Sequence, residues 1–173
     1  MNIVYTTAAG QGDTDLVLFQ VAQTLLERGR RVCGLVQVNT ETCSDGPCDM
    51  DVRVLPDGPL IRISQSLGKA SRGCRLDPQA LETAVGEVQT RLDLGADLLI
   101  INKFGRHEAE GRGFRSVIAQ AVSKDVPVVL GLNDLNKAAF FEFIGDTVPR
   151  VDPNPEAVLG WFETCQGQFK ATA

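Results

Sequence analysis

The segment from Gly10 to Thr14, GQGDT, is the first place where residue types and spacing could perform chemistry. Phosphate-binding loops follow the pattern G-x-x-x-x-G-K-[ST], in which backbone N–H groups surround the phosphates and the lysine neutralises their charge. Asp13 stands in the position of that lysine and would repel a triphosphate. The segment therefore predicts an anion-binding turn without ordinary ATP or GTP hydrolysis; the alternative is a plain strand-to-helix turn capped by Asp13 or Thr14. The expected ligand contacts are Gly10, Gln11, Gly12, Asp13 and Thr14.

The basic segment 64–76, SQSLGKASRGCRL, is a second candidate. No acidic residue occurs between Pro59 and Leu76. Glycines allow close backbone approach, and serine and arginine side chains donate hydrogen bonds, a combination typical of an anion cradle. The alternative is a solvated surface loop. The cations of this region are Arg62, Lys69, Arg72 and Arg75, and the expected ligand contacts are Ser66, Gly68, Lys69, Ser71, Arg72, Gly73 and Arg75.

The third candidate, 102–115, reads NKFGRHEAEGRGFR. Phosphoryl-transfer enzymes commonly have a Mg²⁺-binding aspartate after the corresponding strand. Here Asn102 and Lys103 stand in its place. Glu108 is the candidate catalytic base or metal ligand, unless it pairs with Arg106 or Arg112, and the lone histidine is predicted to be noncatalytic. The expected ligand contacts are Asn102, Lys103, Phe104, Gly105 and Arg106.

Composition excludes several classes of protein. The 173 residues carry 17 Lys+Arg and 22 Asp+Glu, a net charge of −5 that argues against nucleic-acid binding. The longest apolar runs are far short of ~18–20 residues, which excludes direct membrane insertion. The odd number of cysteines, 5, predicts reduced thiols in the cytoplasm. We expect no metal site, although Cys43, Cys48 and Cys74 leave metal binding open because their spacing is looser than that of zinc sites.

Strands and helices must alternate to position these segments. The pattern predicts one doubly wound α/β domain over 1–173, with four or five mostly parallel strands, helices on both faces, and an insertion 39–76 holding a β-hairpin near 50–64 and the basic loop. Ligands of such sheets bind beyond the carboxyl ends of the strands, where segments 6–14, 102–113 and 132–136 fall. The predicted strands are Ile3–Tyr5, Arg31–Val38, Asp97–Ile101 and Val126–Leu132, and the predicted helices are 14–28, 78–94, 112–123 and 134–143.

Two longer segments resemble a known family. ISQSLGKASRGCRLDP, 63–78, and DLLIINKFGRHEAEGRGFR, 97–115, are similar to the signature segments of the bacterial domain-of-unknown-function family 2478. The resemblance implies a degenerate branch of the P-loop nucleoside-triphosphatase superfamily, often encoded near molybdate transport genes. It also implies that hydrolytic relatives have a lysine at Asp13 and an acidic pair at Asn102 and Lys103. The ligand it implies is a nucleotide with Mg²⁺, or molybdate.

Three functions follow as hypotheses. The first is a noncatalytic protein that binds a small anion or nucleotide and is linked to molybdenum transport or molybdenum cofactor metabolism. The alternative is a Mg²⁺-dependent nucleoside triphosphatase in which Lys69 or Lys103 replaces the missing lysine, since only the position of the charge matters. The second alternative is an interaction subunit, a homodimer or a partner of a transporter or metalloenzyme assembly system. Trp161 and Phe162 are predicted to close the core instead of binding such a partner.

Overall fold

The computed structural model describes residues 2–10, 12–38, 49–65, 75–145 and 148–171. Six strands form one sheet in the order β1-β6-β5-β2-β3-β4. The first four strands in this order are parallel, and β3 and β4 run antiparallel to their neighbours. The strands are β1 Ile3–Thr6, β2 Val32–Val38, β3 Asp51–Leu55, β4 Leu60–Arg62, β5 Leu98–Phe104 and β6 Val128–Leu132.

Helices cover both faces of the sheet, which confirms the predicted α/β architecture. Apolar side chains of α1 and α6 pack on one face, and those of α2, α4 and α5 pack on the other. On α1, Leu18, Ala22 and Leu25 recur at helical spacing and are almost fully buried, and each leucine contributes about 1.5–3 kcal/mol. The helices are α1 Asp13–Glu27, α2 Pro78–Asp93, α3 Arg106–Ala109, α4 Arg115–Ser123, α5 Lys137–Ile144 and α6 Pro155–Ala171, with a 3₁₀ turn at Asp134–Asn136.

The hairpin lies where it was expected, but it extends the main sheet. β3 pairs with β2, so that Leu55 lies opposite Gly34. This pairing raises the count to six strands, and the expectation of four or five was therefore wrong. At the open end of the hairpin, the buried Asp51 carboxylate accepts from Arg62 at 3.0 Å. The basic segment begins beyond this ion pair.

Local sequence signals set the ends of α2. The Asp77 carboxylate accepts from the backbone N–H groups of Gln79 at 2.9 Å and Ala80 at 3.1 Å, and Pro78 occupies the first turn. Such a cap stabilises a helix by about 1 kcal/mol. The helix ends at Asp93, with Leu94 as its C-cap, within one residue of the predicted end.

The C-terminal part closes the sheet beside β1. The N–H of Tyr5 donates to Pro149 O at 3.2 Å, and Val151 donates back to Tyr5 O at 2.9 Å. In α6, Phe162 is buried and Trp161 packs partly against the same core, as predicted. Among the helices in the described ranges, none is both long and apolar enough to span a bilayer.

Candidate ligand-binding site

The carboxyl ends of β1, β5 and β6 bring two of the sequence candidates together. A Cβ placed on Gly131 of β6 would lie 3.1 Å from Thr14 Cγ2 and 3.2 Å from Lys103 Cβ. The start of α1 and the end of β5 therefore meet over Gly131, the next-to-last residue of β6. Binding of an anion by these residues stays a prediction.

Gly12 and Thr14 set the geometry of the turn between β1 and α1. Gly12 adopts φ 86°, which glycine favours, and its carbonyl accepts from Leu16 N–H at 3.0 Å. Thr14 Oγ1 accepts from Ala8 N–H at 2.9 Å, which ties the loop to the helix. The helix begins at Asp13 and Gly12 is its N-cap, so the expectation that Asp13 or Thr14 caps the helix was wrong. A plain strand-to-helix turn stays the alternative to an anion-binding turn.

Asp13 folds back over this loop. A Cβ on Gly10 would overlap the exposed Asp13 carboxylate, since it would lie only 2.1 Å from Oδ2. The loop thus accommodates its own acidic side chain at the surface. Gln11, the remaining predicted contact, lies outside the described residues.

β5 is longer than predicted, and this places Asn102 and Lys103 inside the strand. Its pairing with β6 is irregular between Ile101 and Phe104, where the strand resumes opposite Leu132. Irregular pairing of this kind redirects side chains beside functional sites. Phe104 itself lies in the core against the Phe140 ring, with centroids 5.1 Å apart.

Asn102 links three elements below the surface. Its buried amide donates to Asp15 Oδ1 at 2.9 Å and accepts from Gln37 N–H at 2.7 Å, in the orientation that pairs donors with acceptors. Asp15 is buried on α1, and Gln37 lies near the end of β2. The network therefore fixes the end of β5 relative to α1 and β2.

Asp15 and Lys103 set the electrostatics of the corner where the end of β5 meets the start of α1. Burial raises the pKa of the Asp15 carboxyl, and the Lys103 charge and the Asn102 hydrogen bond partly offset this rise. Lys103 is exposed, and no ion pair within 4.0 Å involves it anywhere in the described ranges. The corner therefore holds one exposed cation above a buried carboxylate.

Asp15→Asn tests that assignment through pH dependence. Because the pKa is raised in the folded protein, wild type loses stability as pH rises from the unfolded pKa through the folded one. We expect the unfolding free energy of the variant, relative to wild type, to increase between pH 4 and pH 7 in urea titrations. A difference for Asp15→Asn that stays constant or falls would contradict the assignment.

Glu108 is a buried clamp of the loop that follows β5. Its Oε2 accepts from Gly105 N–H at 2.9 Å and its Oε1 accepts from Phe114 N–H at 3.2 Å. Gly113 passes so close that a Cβ there would lie 2.2 Å from Oε1. Both oxygens are thus engaged with the backbone, and the catalytic role suggested for Glu108 stays a prediction without geometric support.

Glu110, not Glu108, pairs with the neighbouring arginines. Arg106 Nε lies 2.7 Å from Glu110 Oε1, and Arg112 reaches Glu110 Oε2 at 2.5 Å. The pairing of Glu108 with either arginine, left open by the sequence, was therefore wrong. His107 is buried, and its Nε2 lies 3.3 Å from Glu82 Oε1.

Two arginines of the basic region, Arg62 and Arg75, pair with acidic residues. Arg62 contacts Asp49 at 2.9 Å and Asp51 at 3.0 Å, and Arg75 contacts Asp49 at 3.2 Å. Acidic residues from the preceding strand region therefore neutralise both arginines. The other predicted contacts, Ser66, Gly68, Lys69, Ser71, Arg72 and Gly73, lie outside the described residues, so the approach of Arg72 to Lys103 stays a prediction.

A cavity of about 560 Å³ opens beside Lys103. Its floor is apolar, and comprises Leu35, Met50, Val52, Ile63, Leu76, Leu81 and Phe114. Its polar wall and rim comprise Gln37, Arg75, Asn102, Lys103, Gly105, Arg106, His107, Glu108, Asn133 and Asn136, with Leu135 exposed at the rim. The cavity lies within the size range of small-molecule sites, ~300–1,000 Å³.

Sequence reasoning missed Asp15 and Gln37, whereas the residues after β6 lie in segment 132–136, which was predicted to fall at the ligand-binding edge of the sheet. A signal for Asp15 existed, because it shares the helical face of Leu18, Ala22 and Leu25, where a carboxylate is out of place. In the described part of the chain, no group of three or more potential metal-binding side chains comes together. The metal question for Cys43, Cys48 and Cys74 lies outside the described residues.

Comparisons with known proteins agree with this architecture. The chain is 31% identical over 160 residues to a molybdenum import ATP-binding protein, ModC 2, of Bradyrhizobium diazoefficiens. The aligned region is 92% of this chain but only 18% of that protein, so the chain spans less than a fifth of its relative.

The solution structure of a human cancer-related nucleoside triphosphatase has the same fold. The TM-score is 0.55 at 23% identity, and the alignment covers 87% of this chain and 89% of that one. This likeness confirms the nucleoside-triphosphatase-like sheet. The match of a family model to residues 3–161 confirms the resemblance of segments 63–78 and 97–115: the chain belongs to the family described as Protein of unknown function (DUF2478).

Proposed function

We propose that the chain binds a phosphate-bearing anion, with a nucleotide as the first choice, at the start of α1. Lys103 supplies the positive charge that the loop itself lacks. The observation that supports this most strongly is the meeting of Thr14 and Lys103 over Gly131. A 15-residue helix begins there, and its N-terminus favours negative charge.

The acidic and basic side chains at this site occupy the reverse of the positions they have around a phosphate-hydrolysing loop. Asp13 stands where the loop cation is expected, and Lys103 follows Asn102 where an acid is expected. A cation delivered from β5 attracts phosphate as well as one from the loop, because only its position matters. The proposal therefore keeps anion binding. It includes no Mg²⁺ site at the end of β5, because the acid that would hold the ion is absent there.

The proposal does not include hydrolysis. Glu108 has both oxygens engaged by backbone N–H groups, and Asn102 carries no charge. A Mg²⁺-dependent triphosphatase remains the second candidate because the fold is that of a nucleoside triphosphatase. Release of phosphate from ATP or GTP, measured with wild type, separates the two.

The link to molybdenum rests on one relative. Its name, molybdenum import ATP-binding protein, supports including molybdate among the anions and a transporter among the partners. We propose both as finer statements of the same function. A small oxyanion would occupy only the corner at Lys103 and the start of α1.

Lys103→Ala tests the proposed function directly. We expect wild type to release heat on calorimetric titration with at least one of tripolyphosphate, ATP, GTP and molybdate. Loss of the lysine should weaken that binding about 10- to 100-fold, because hydrogen bonds to charged groups contribute about 1.5–3 kcal/mol.

Lys124→Ala is the matched control. Lys124 is also an exposed lysine, but it pairs with Asp93 at 3.1 Å, where α2 and α4 end. Its loss should leave anion affinity unchanged. Absence of heat with all four anions, or equal affinities of Lys103→Ala and wild type, would refute the proposal.

A further inference from the structure

We propose that the cavity beside Lys103 is a second binding site, specific for a flat organic anion. The aromatic body of the ligand would lie on the apolar floor, and its acidic group would reach Lys103 and Arg106. The inference does not rest on phosphate binding at the start of α1, with which it shares only Lys103.

The floor determines the body of the ligand. Buried side chains from β2, β3, α2 and the turn before α4 meet there, among them Leu35, Val52, Leu81 and Phe114. Such a surface offers no hydrogen-bond donors to an inorganic oxyanion, whereas it favours an apolar ring by about 25 cal/mol per Å² buried. About 560 Å³ is ample for a fused aromatic ring system.

The rim determines the charge of the ligand. Three basic side chains line the cavity: Arg75 pairs with Asp49 and Arg106 pairs with Glu110, whereas Lys103 has no carboxylate within 4.0 Å in the described ranges. Among the described lining residues, Glu108 is the one carboxylate, and it already accepts two backbone hydrogen bonds, so its charge is largely compensated. Side-chain amides of Gln37, Asn133 and Asn136 add further polar groups at the edge. An anionic group is therefore the complementary end of the ligand.

Two smaller cavities do not combine these features. Among the described residues that line it, the one between α1 and β3, about 320 Å³, has a single charged residue, Arg53. The one beside Gly12 and Leu16, about 270 Å³, contains Asp15 and, in the described part of the chain, no cation. Compared with these two, the cavity at Lys103 joins a broad apolar floor to basic side chains at its rim.

A pair of fluorescent probes tests the proposal. 8-Anilinonaphthalene-1-sulfonate is a flat aromatic anion, and N-phenyl-1-naphthylamine is its uncharged counterpart. Wild type should bind the sulfonate more tightly than the amine, with increased fluorescence in both cases. Arg106→Ala should weaken sulfonate binding about threefold, as expected for an exposed charge pair, and leave amine binding unchanged. Arg112→Ala removes the other arginine paired with Glu110 and should change neither.

Filling the cavity supplies the second test. Met50→Trp places a large ring at a half-buried floor position and should weaken both probes about tenfold or more; Leu76→Trp repeats the test should the first variant not fold. Circular dichroism establishes that each variant is folded. Sulfonate binding that both filling variants leave unchanged, or an Arg106→Ala loss equal for the two probes, would overturn the proposal.

Tripolyphosphate separates this inference from the proposed function. Its affinity should be the same in wild type and Met50→Trp, because this change touches neither Thr14 nor Lys103. If tripolyphosphate binds nowhere but the probes behave as described, the proposed function fails and the cavity site stands. If tripolyphosphate binds and the probes ignore Met50 and Leu76, only the cavity site fails.

Discussion

Replacement of Gly34 by alanine is expected to lower the free energy of unfolding by about 3 kcal/mol or more. Gly34 lies in the middle of β2, between β5 and β3, and adopts φ 119°, which L side chains rarely adopt. A Cβ there would lie 1.9 Å from the carbonyl oxygen of Ile100. Either the backbone of β5 moves away or the pairing of the two strands breaks.

Gly86→Ala is the matched control for this prediction. Gly86 is exposed on α2, and a Cβ there meets nothing within 4 Å. The same chemical change should therefore stabilise the protein by about 0.5–1 kcal/mol, because alanine is the better helix former. Urea titrations of the two variants measure both values. A Gly34→Ala midpoint equal to that of wild type would show that β2 tolerates a side chain there.

The strain expected in Gly34→Ala would also affect the candidate ligand-binding site. β2 and β5 pair from Val32 opposite Leu98 to Leu35 opposite Ile101, and Gln37 then donates to Asn102 beyond the last pair. A displaced β5 would therefore move Asn102 and the adjacent Lys103. We expect any folded fraction of Gly34→Ala to bind anions more weakly as well.

Most elements of the fold could be predicted from local patterns. Short apolar runs predicted the four parallel strands, and Asp77 with Pro78 predicted the start of α2. The end of β5 could not be predicted this way, because its apolar run stops at Ile101 while the strand continues to Phe104. The reason is a partner distant in sequence, Leu132 of β6, which pairs with Phe104.

In the candidate site, as in the fold, only the features with a local sequence signal could be predicted. The glycine loop and Lys103 were found from residue types, since glycine and cations have local signatures. Asp15, Gln37 and the cavity floor were not, because their roles depend on contacts between elements far apart in the chain. The positive charge assigned to Arg62 and Arg75 was too high for the same reason, since their partners lie earlier in the chain, Asp51 at the start of β3 and Asp49 just before it.

Glu108→Gln is expected to lower the free energy of unfolding by about 2–4 kcal/mol. The Glu108 carboxylate is buried and accepts from two backbone N–H groups, those of Gly105 and Phe114. A glutamine has a single carbonyl oxygen, so one N–H would face the donor side of its amide. The buried site has no solvent to replace the lost acceptor.

Glu110→Gln provides the comparison, because the Glu110 carboxylate is exposed and pairs with Arg106 and Arg112. Exposed pairs contribute little, so its loss should lower the free energy of unfolding far less than Glu108→Gln does. The two variants also separate a clamp from a catalyst. If Glu108 is catalytic, Glu108→Gln should leave stability near that of wild type and remove any nucleotide hydrolysis. If Glu108 is a structural clamp, the variant should lose stability, and any phosphate release by the folded protein should stay in place. Thermal melts combined with phosphate release therefore decide which role this buried carboxylate has.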